Sequence, residues 1–414
     1  MKHDAVLDFL LLVCLLSSVL LAATPISSGT GYMLATGVYI IVLAISFARG
    51  TLAVRFDRAI LLPIVALWVV FLVEYWFHPG GRATFRTGAY IVFSALNLFV
   101  IPATFSREGF VDALAAIAAV VAGIALPLVW FGVTYQGELL GLWHGSTQMN
   151  SILTNPNYLS ALSAFGFVAC FGVARSRRRR WLAVIGGICC LVGFGVSQGR
   201  AAILGTVAAI VILAVYRTYG TRAVAGVVAI GIAGAVVGFR LTLGPIAGID
   251  VTQNIGNQLN NRGELWNAAV RAILDRPILG YGLVDDGPIL AAYGAPTPGD
   301  NVFSAHNSYL RMFLMTGVVG GVLYLLVCLA ALRQALRTMA RSTSTDSLSV
   351  FLPLLCVVLI LELFSNSPIF GVSFVSVFGA LVVGYSQGER RIPLRAERIW
   401  MVMVKAGRNE QDGT

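Results

Sequence analysis

The sequence predicts an all-α, polytopic integral membrane protein, and three observations carry that prediction. The 414-residue chain is 57% hydrophobic and only 12% charged, about half the charged share of a soluble globule. Its mean hydropathy is +0.83. Apolar runs long enough to cross a hydrocarbon core recur from one end to the other. This composition excludes a soluble enzyme, a disulfide scaffold and a disordered chain. Long continuous runs also argue against a β-barrel, whose strands are short and alternating.

Twelve segments read as spans: 5–23, 31–48, 59–77, 89–106, 109–131, 157–174, 181–199, 201–216, 223–243, 308–332, 348–364 and 368–387. The first lacks a clear small-x-small cleavage site, so it reads as a retained helix rather than a signal peptide. Asn155, ahead of Pro156 and Asn157, reads as the cap of the sixth span. Gly186, Gly187, Gly193, Gly195, Gly317, Gly320 and Gly321 fall inside spans, where small residues let helices approach closely. Cys14, Cys170, Cys189, Cys190, Cys328 and Cys356 also lie in apolar runs without a CxxC pair, and read as small hydrophobes of helix cores. The histidines His3, His78, His144 and His306 form no metal-ligand spacing.

Orientation follows from the basic residues. With the N-terminus inside, 21 of the 29 lysines and arginines fall in cytoplasmic segments. The exceptions are Arg82, Arg86, Arg200, Arg240, Arg262, Arg271, Arg276 and Arg311. This bias predicts both termini inside and an even number of spans. It also accounts for the net charge of +10 without a nucleic-acid partner. The chain then divides into spans one to nine (1–243), a large outer loop (244–307), spans ten to twelve (308–387) and a basic cytoplasmic tail (388–414).

The outer loop has three parts. A lead over 250–261 is rich in Asn and Gln. Next comes a predicted helix over about 263–275, with Asn260 and Asn261 as caps and Pro277 as its stop. Leu265, Trp266, Ala269, Val270, Ile273 and Leu274 give it one apolar side, which predicts a helix lying on the outer leaflet. A Gly/Pro/Asp-rich stretch then leads to His306.

Three polar positions converge on this outer level: Arg200 at a turn between two spans, Arg262 at the start of the loop helix, and His306 at the loop's end. A guanidinium beside free N–H groups at a helix start makes an anion site. Two such arginines could hold a diphosphate, and a neutral histidine can accept a proton. That set suits attack of a hydroxyl on a diphosphate-linked carbon. Read singly, each arginine is equally an anchor at a span end and the histidine a structural residue. Glu74 and Glu362 sit near outer ends of spans, where a carboxylate is costly. Each reads either as functional or as the partner of an outer arginine.

These motifs in order resemble the O-antigen ligase and O-antigen polymerase superfamily of bacterial inner-membrane glycosyltransferases. The resemblance rests on TNPNY at 154–158, SQGRAA at 197–202, NRGELW at 261–266, Arg276 with Pro277, GYG at 280–282, and HNSYL at 306–310 with Gly317, Gly320 and Gly321. It implies a helical, metal-independent, inverting glycosyltransferase of the lipid-donor (GT-C-like) type without cofactor, in the inner membrane with its site facing the periplasm. A ligase would move a glycan from undecaprenyl diphosphate to a sugar hydroxyl of lipid A–core, in lipopolysaccharide biosynthesis. A polymerase on the same scaffold would move it to another lipid-linked repeat. The family's arginines map onto Arg200 and Arg262 and its histidine onto His306, with Arg200 and Arg262 holding the diphosphate. Glu362 is a looser match. Asn307, Arg86 and Ser197 stand as supporting candidates, and no metal ligand is expected. A flippase or transporter of lipid-linked oligosaccharide is the alternative of another class. It is disfavoured by the lack of a half-to-half repeat and by polar residues at the outer end rather than the midplane.

Overall fold

A computed structural model describes residues 2–25, 28–135, 138–143, 147–174, 179–242, 262–295, 304–342, 347–387 and 391–393. Every expected span falls on helix. In chain order these are α1 (Lys2–Leu21), α2 (Ser28–Ala48), α3 (Arg58–Phe77), α4 (Gly81–Ala95), α5 (Ile101–Thr104), α6 (Arg107–Gly123), α7 (Ala125–Trp130), α8 (Pro156–Val173), α9 (Arg180–Ser197) and α10 (Arg200–Thr242). They continue as α11 (Arg262–Asp275), α12 (Asp286–Ala292), α13 (Ser308–Arg341), α14 (Phe351–Leu363) and α15 (Phe374–Ser386). A π-helical turn, Leu96–Val100, joins α4 to α5. α10 covers both the eighth and ninth expected spans and breaks at Gly220 (φ 77°), a left-handed position open to glycine. Among the described residues, eight helices are long and apolar enough to cross a membrane, and three shorter apolar helices accompany them.

Strands are the departure from an all-helical reading. Three two-stranded antiparallel ladders pair Ala53–Arg55 with Arg391–Pro393, Thr134–Tyr135 with Glu138–Leu139, and Gly141–Leu142 with Met149–Ser151. They are too short to show a period-2 pattern, so hydropathy alone missed them. The lead over 250–261, with Asn260 and Asn261, lies outside the described residues, as does most of the tail over 388–414.

The helices fall into two compact units. The first takes Met1–Asp57, Ala95–Gln198 and Ala380–Thr414. Here α1, α6, α8 and α9 pack together. Small residues permit it: a Cβ on Gly166 would meet Ala118 and Cys190, one on Gly186 would lie 3.1 Å from Cys170 Sγ, and one on Gly193 would strike Ser163. Gly187 and Gly195 have open space or a distant ring instead, so close packing does not account for them. Asn155 caps α8 as expected, its side chain accepting from the Asn157 N–H at 2.8 Å. Ser197 Oγ donates to the Gly193 carbonyl of its own helix at 2.6 Å. Cys170 and Cys190 are buried, whereas Cys14 is exposed and Cys189 half-buried, so the core reading holds for the first pair only in this unit.

The second unit takes Arg58–Ser94 and Gly199–Gly379, and holds the other site candidates. In it α13 packs on α3, α11 and α14, and α10 packs on α14. α13 runs past its expected end at 332 because Gln334, Ala335 and Met339 continue its buried face. It is interrupted at Gly317 (φ 63°), where a Cβ would strike the Ile278 carbonyl. Gly280 makes the reciprocal approach, and the Tyr281 and Gly282 N–H groups donate to the Leu314 and Met315 carbonyls at 3.0 and 2.9 Å. Gly320 and Gly321 relieve crowding by Thr316 and Phe313 of the same helix, rather than admitting a neighbour. Cys328 and Cys356 are buried core residues, as the sequence implied.

Candidate active site

The site is built by the loop helix α11. Its apolar side does form, but it is covered by protein. Leu265, Trp266, Ala268, Ala269 and Ala272 pack in one core with Leu290, Ala295, Ala305, Leu310 and Leu314. The placement on a lipid leaflet is therefore corrected for this face: helix α12, with Leu290, and the start of α13 compete successfully for it. Leu274 remains exposed, as does Ile278 just beyond the helix. Burying Trp266 requires a partner for its indole N–H, and it donates to the Ala305 carbonyl at 3.0 Å.

That bond begins the construction of the histidine site. The Ala305 N–H donates to the buried Asp286 carboxylate at 3.1 Å, so both backbone groups of Ala305 are held. Asn307 is the cap of α13, its side chain accepting from the Leu310 N–H at 3.1 Å. Between these fixed neighbours, His306 adopts a left-handed backbone (φ 46°), with its N–H donating to Ser304 Oγ at 3.2 Å. A histidine there costs about 1–3 kcal/mol, and the surrounding bonds offset it. Asn307 thus supports the site by capping a helix.

Arg262 opens α11 and reaches Phe364, the residue that ends α14. Its Nη1 donates to the Phe364 carbonyl at 3.0 Å, and its guanidinium lies 5.7 Å from the centre of the Phe364 ring. Burial pulls Arg262 below the ordinary guanidinium value, yet it remains a cation at neutral pH. Burial, and after it the Arg262 charge, pull His306 below the ordinary histidine value, with Asp286 opposing. The Arg262 charge therefore reaches His306 and, after burial, favours the neutral imidazole.

Glu362 lies two residues before the Phe364 anchor. It is buried, and of its two readings the arginine pair does not form among the described residues. Tyr324 Oη donates to its Oε1 at 2.6 Å, while Oε2 is buried without a hydrogen-bond partner there. The same Tyr324 hydroxyl accepts from the Ile369 N–H at 3.1 Å. Ser308 Oγ donates to the Ser365 carbonyl and accepts from the Ser367 N–H, both at 2.9 Å. The turn that grips Arg262 is thus tied to the helix that follows His306.

The remaining candidates are dispersed. Arg86 pairs with Asp285 and donates to the Leu283 carbonyl at 3.4 Å, which pins the loop to α4. Glu74 pairs with His78, its Oε2 lying 3.2 Å from Nδ1, rather than with an arginine. Arg200 stands exposed at the first residue of α10, just after Gln198 ends α9 in a left-handed turn (φ 55°). Its expected place at the inter-helix turn holds. Ser197 lies in the other unit with its hydroxyl bonded inside its own helix. Sequence reasoning missed Asp286, Phe364, Tyr324 and His78. Only His78 carried a readable signal, its i,i+4 spacing from Glu74.

The fold is that of a polytopic helical membrane protein, with Arg262 and His306 as candidate site residues on the segment between α10 and α13. The family model described as O-antigen ligase matches residues 185–325, about a third of the chain. That match supports a resemblance to the O-antigen ligase superfamily over this stretch. The matched stretch contains Arg200, Arg262 and His306. No curated protein gives a match.

Proposed function

We propose that the protein is an O-antigen ligase of the bacterial inner membrane, with twelve spans, both termini in the cytoplasm and its site facing the periplasm. It transfers a glycan from undecaprenyl diphosphate to a sugar hydroxyl of lipid A–core. The observation that carries this reading is that Arg262, anchored on the Phe364 carbonyl, and His306, held between the fixed residues Ala305 and Asn307, both lie inside the stretch matched by the ligase family and are coupled by the Arg262 charge.

The chemistry is a displacement at the anomeric carbon. The acceptor oxygen forms the new bond as the carbon–phosphate oxygen bond breaks, and its proton passes to the neutral imidazole of His306. The bonding electron pair leaves on the diphosphate. Arg262 and Arg200 stabilise that charge as it develops, which is where preorganised donors contribute most to rate. Direct displacement inverts the anomeric centre. Arg262 spends one N–H on the Phe364 carbonyl, which fixes its plane and leaves other donors of the fork for oxyanions. The mechanism draws on no metal.

The test is transfer by purified protein in detergent, supplied with undecaprenyl-diphosphate glycan, lipid A–core and EDTA. Glycosylated lipid A–core that is lost in His306→Ala and Arg262→Ala supports the reading. Ladders formed on the donor lipid alone would make the protein a polymerase. Vesicle uptake of the donor without bond cleavage would make it a transporter.

A further inference from the structure

One acid–base pair outside this site has the form of a binding group. His78 follows α3, half-buried, and Glu74 on the last turn of that helix is fully buried. A 3.2 Å contact joins Nδ1 of His78 to the Glu74 carboxyl. Nε2 has no partner among the described residues, and an imidazole nitrogen gives or takes a hydrogen bond according to its tautomer. The other edge of the ring is covered. Gly282 packs on it so closely that a Cβ there would lie 3.0 Å from His78 Cβ and 3.2 Å from Nδ1. The side chain is nonetheless 30% exposed. Glu74 Oε1 is buried with no hydrogen-bond partner among the described residues, so the contact with His78 is made by Oε2.

The pair is linked to the proposed reaction centre through the loop that carries Gly282 and Asp286. Gly282 rests on His78, Arg86 holds Leu283 and Asp285, and Asp286 holds the N–H of the residue before His306. Four residues span at most about 14 Å, so the loop that covers His78 also fixes His306. A ring nitrogen that can take or give a hydrogen bond, backed by a buried carboxyl group, suits a hydroxyl, which does both. Arg86, the nearby cation, is already engaged by Asp285.

We propose that Glu74 and His78 form a second hydroxyl-binding position that takes a sugar hydroxyl of the acceptor through Nε2 of His78. This deepens the ligase reading and rests on it. The experiment is equilibrium binding of lipid A–core to the full-length protein in detergent, without donor, beside binding of undecaprenyl-diphosphate glycan. His78→Phe keeps a flat ring against Gly282 and removes Nε2. It is expected to weaken lipid A–core binding about tenfold, the scale of one hydrogen bond, and to leave donor binding unchanged. His78→Gln, which keeps an acceptor atom, is expected to recover part of the loss. Unchanged lipid A–core affinity in folded His78→Phe overturns the proposal, as does an equal loss for donor and acceptor, which marks a structural latch. Absence of lipid A–core binding by the wild type would remove the ligase reading and this inference together. Normal wild-type binding with no effect of His78→Phe removes the inference alone.

Discussion

At the scale of single residues, Arg262 and His306 invite the sharpest predictions. Arg262→Lys keeps the charge but loses the planar fork that holds the Phe364 carbonyl and that, in the proposed mechanism, also holds a phosphate oxygen. Transfer is expected to fall at least about tenfold, one charge-assisted hydrogen bond's worth, and rates measured at saturating donor check it. His306 predicts a pH profile. Burial and the Arg262 charge depress its proton affinity, so the neutral form persists below the ordinary histidine value of about 6.5. Activity should therefore hold from pH 7 down past 6.5 and drop only at more acid pH. Stability carries the same sign: the unfolded chain takes the proton first as pH falls, so this contribution is lost on the acid side. A rate that declines already between pH 8 and 7 would contradict the depressed value.

Elements explain how those residues are held. α11 buries an apolar face, Trp266 then anchors Ala305, and Asn307 starts α13, so the chain is fixed on both sides of His306. The turn after α14 is held from the other side by Tyr324 and Ser308. Removing the Tyr324 hydroxyl strips a buried carboxyl and the Ile369 N–H of a partner together. Tyr324→Phe is expected to cost about 1–3 kcal/mol and to lower transfer as well, since the same turn grips Arg262; thermal unfolding and a transfer assay on the same sample read both. Gly317 is a second element-scale case. Its backbone, at φ 63° and ψ −168°, suits glycine alone, and the Ile278 carbonyl occupies the space of a side chain. Gly317→Ala should destabilise by at least about 1–3 kcal/mol from the backbone term, visible as a lower melting temperature.

For the whole molecule, the solvent is the governing fact. Trp76, Trp130 and many aliphatic side chains on apolar helices are exposed, as lipid-facing residues must be. The arginine bias adds an orientation to that placement. A reporter that is active only in the cytoplasm, fused after Thr414, is expected to be active; an inactive, stably expressed fusion would reverse the proposed orientation and move the site away from the periplasm.

Helix positions, the loop helix and its Pro277 stop were legible because each depends on local composition, capping and chain stiffness. Arg262 and His306 were legible as candidates because a cation at a helix start and an imidazole at a loop end are local patterns too. What surrounds them was not. That Trp266 faces protein instead of lipid, that Glu362 meets Tyr324 instead of an arginine, and that Glu74 meets His78 were decided by packing between residues distant in the chain or by competition among partners. Hydropathy measures how strongly a face avoids water, and lipid and protein satisfy it equally. A buried carboxylate likewise needs a donor, and only the tertiary arrangement determines which one reaches it.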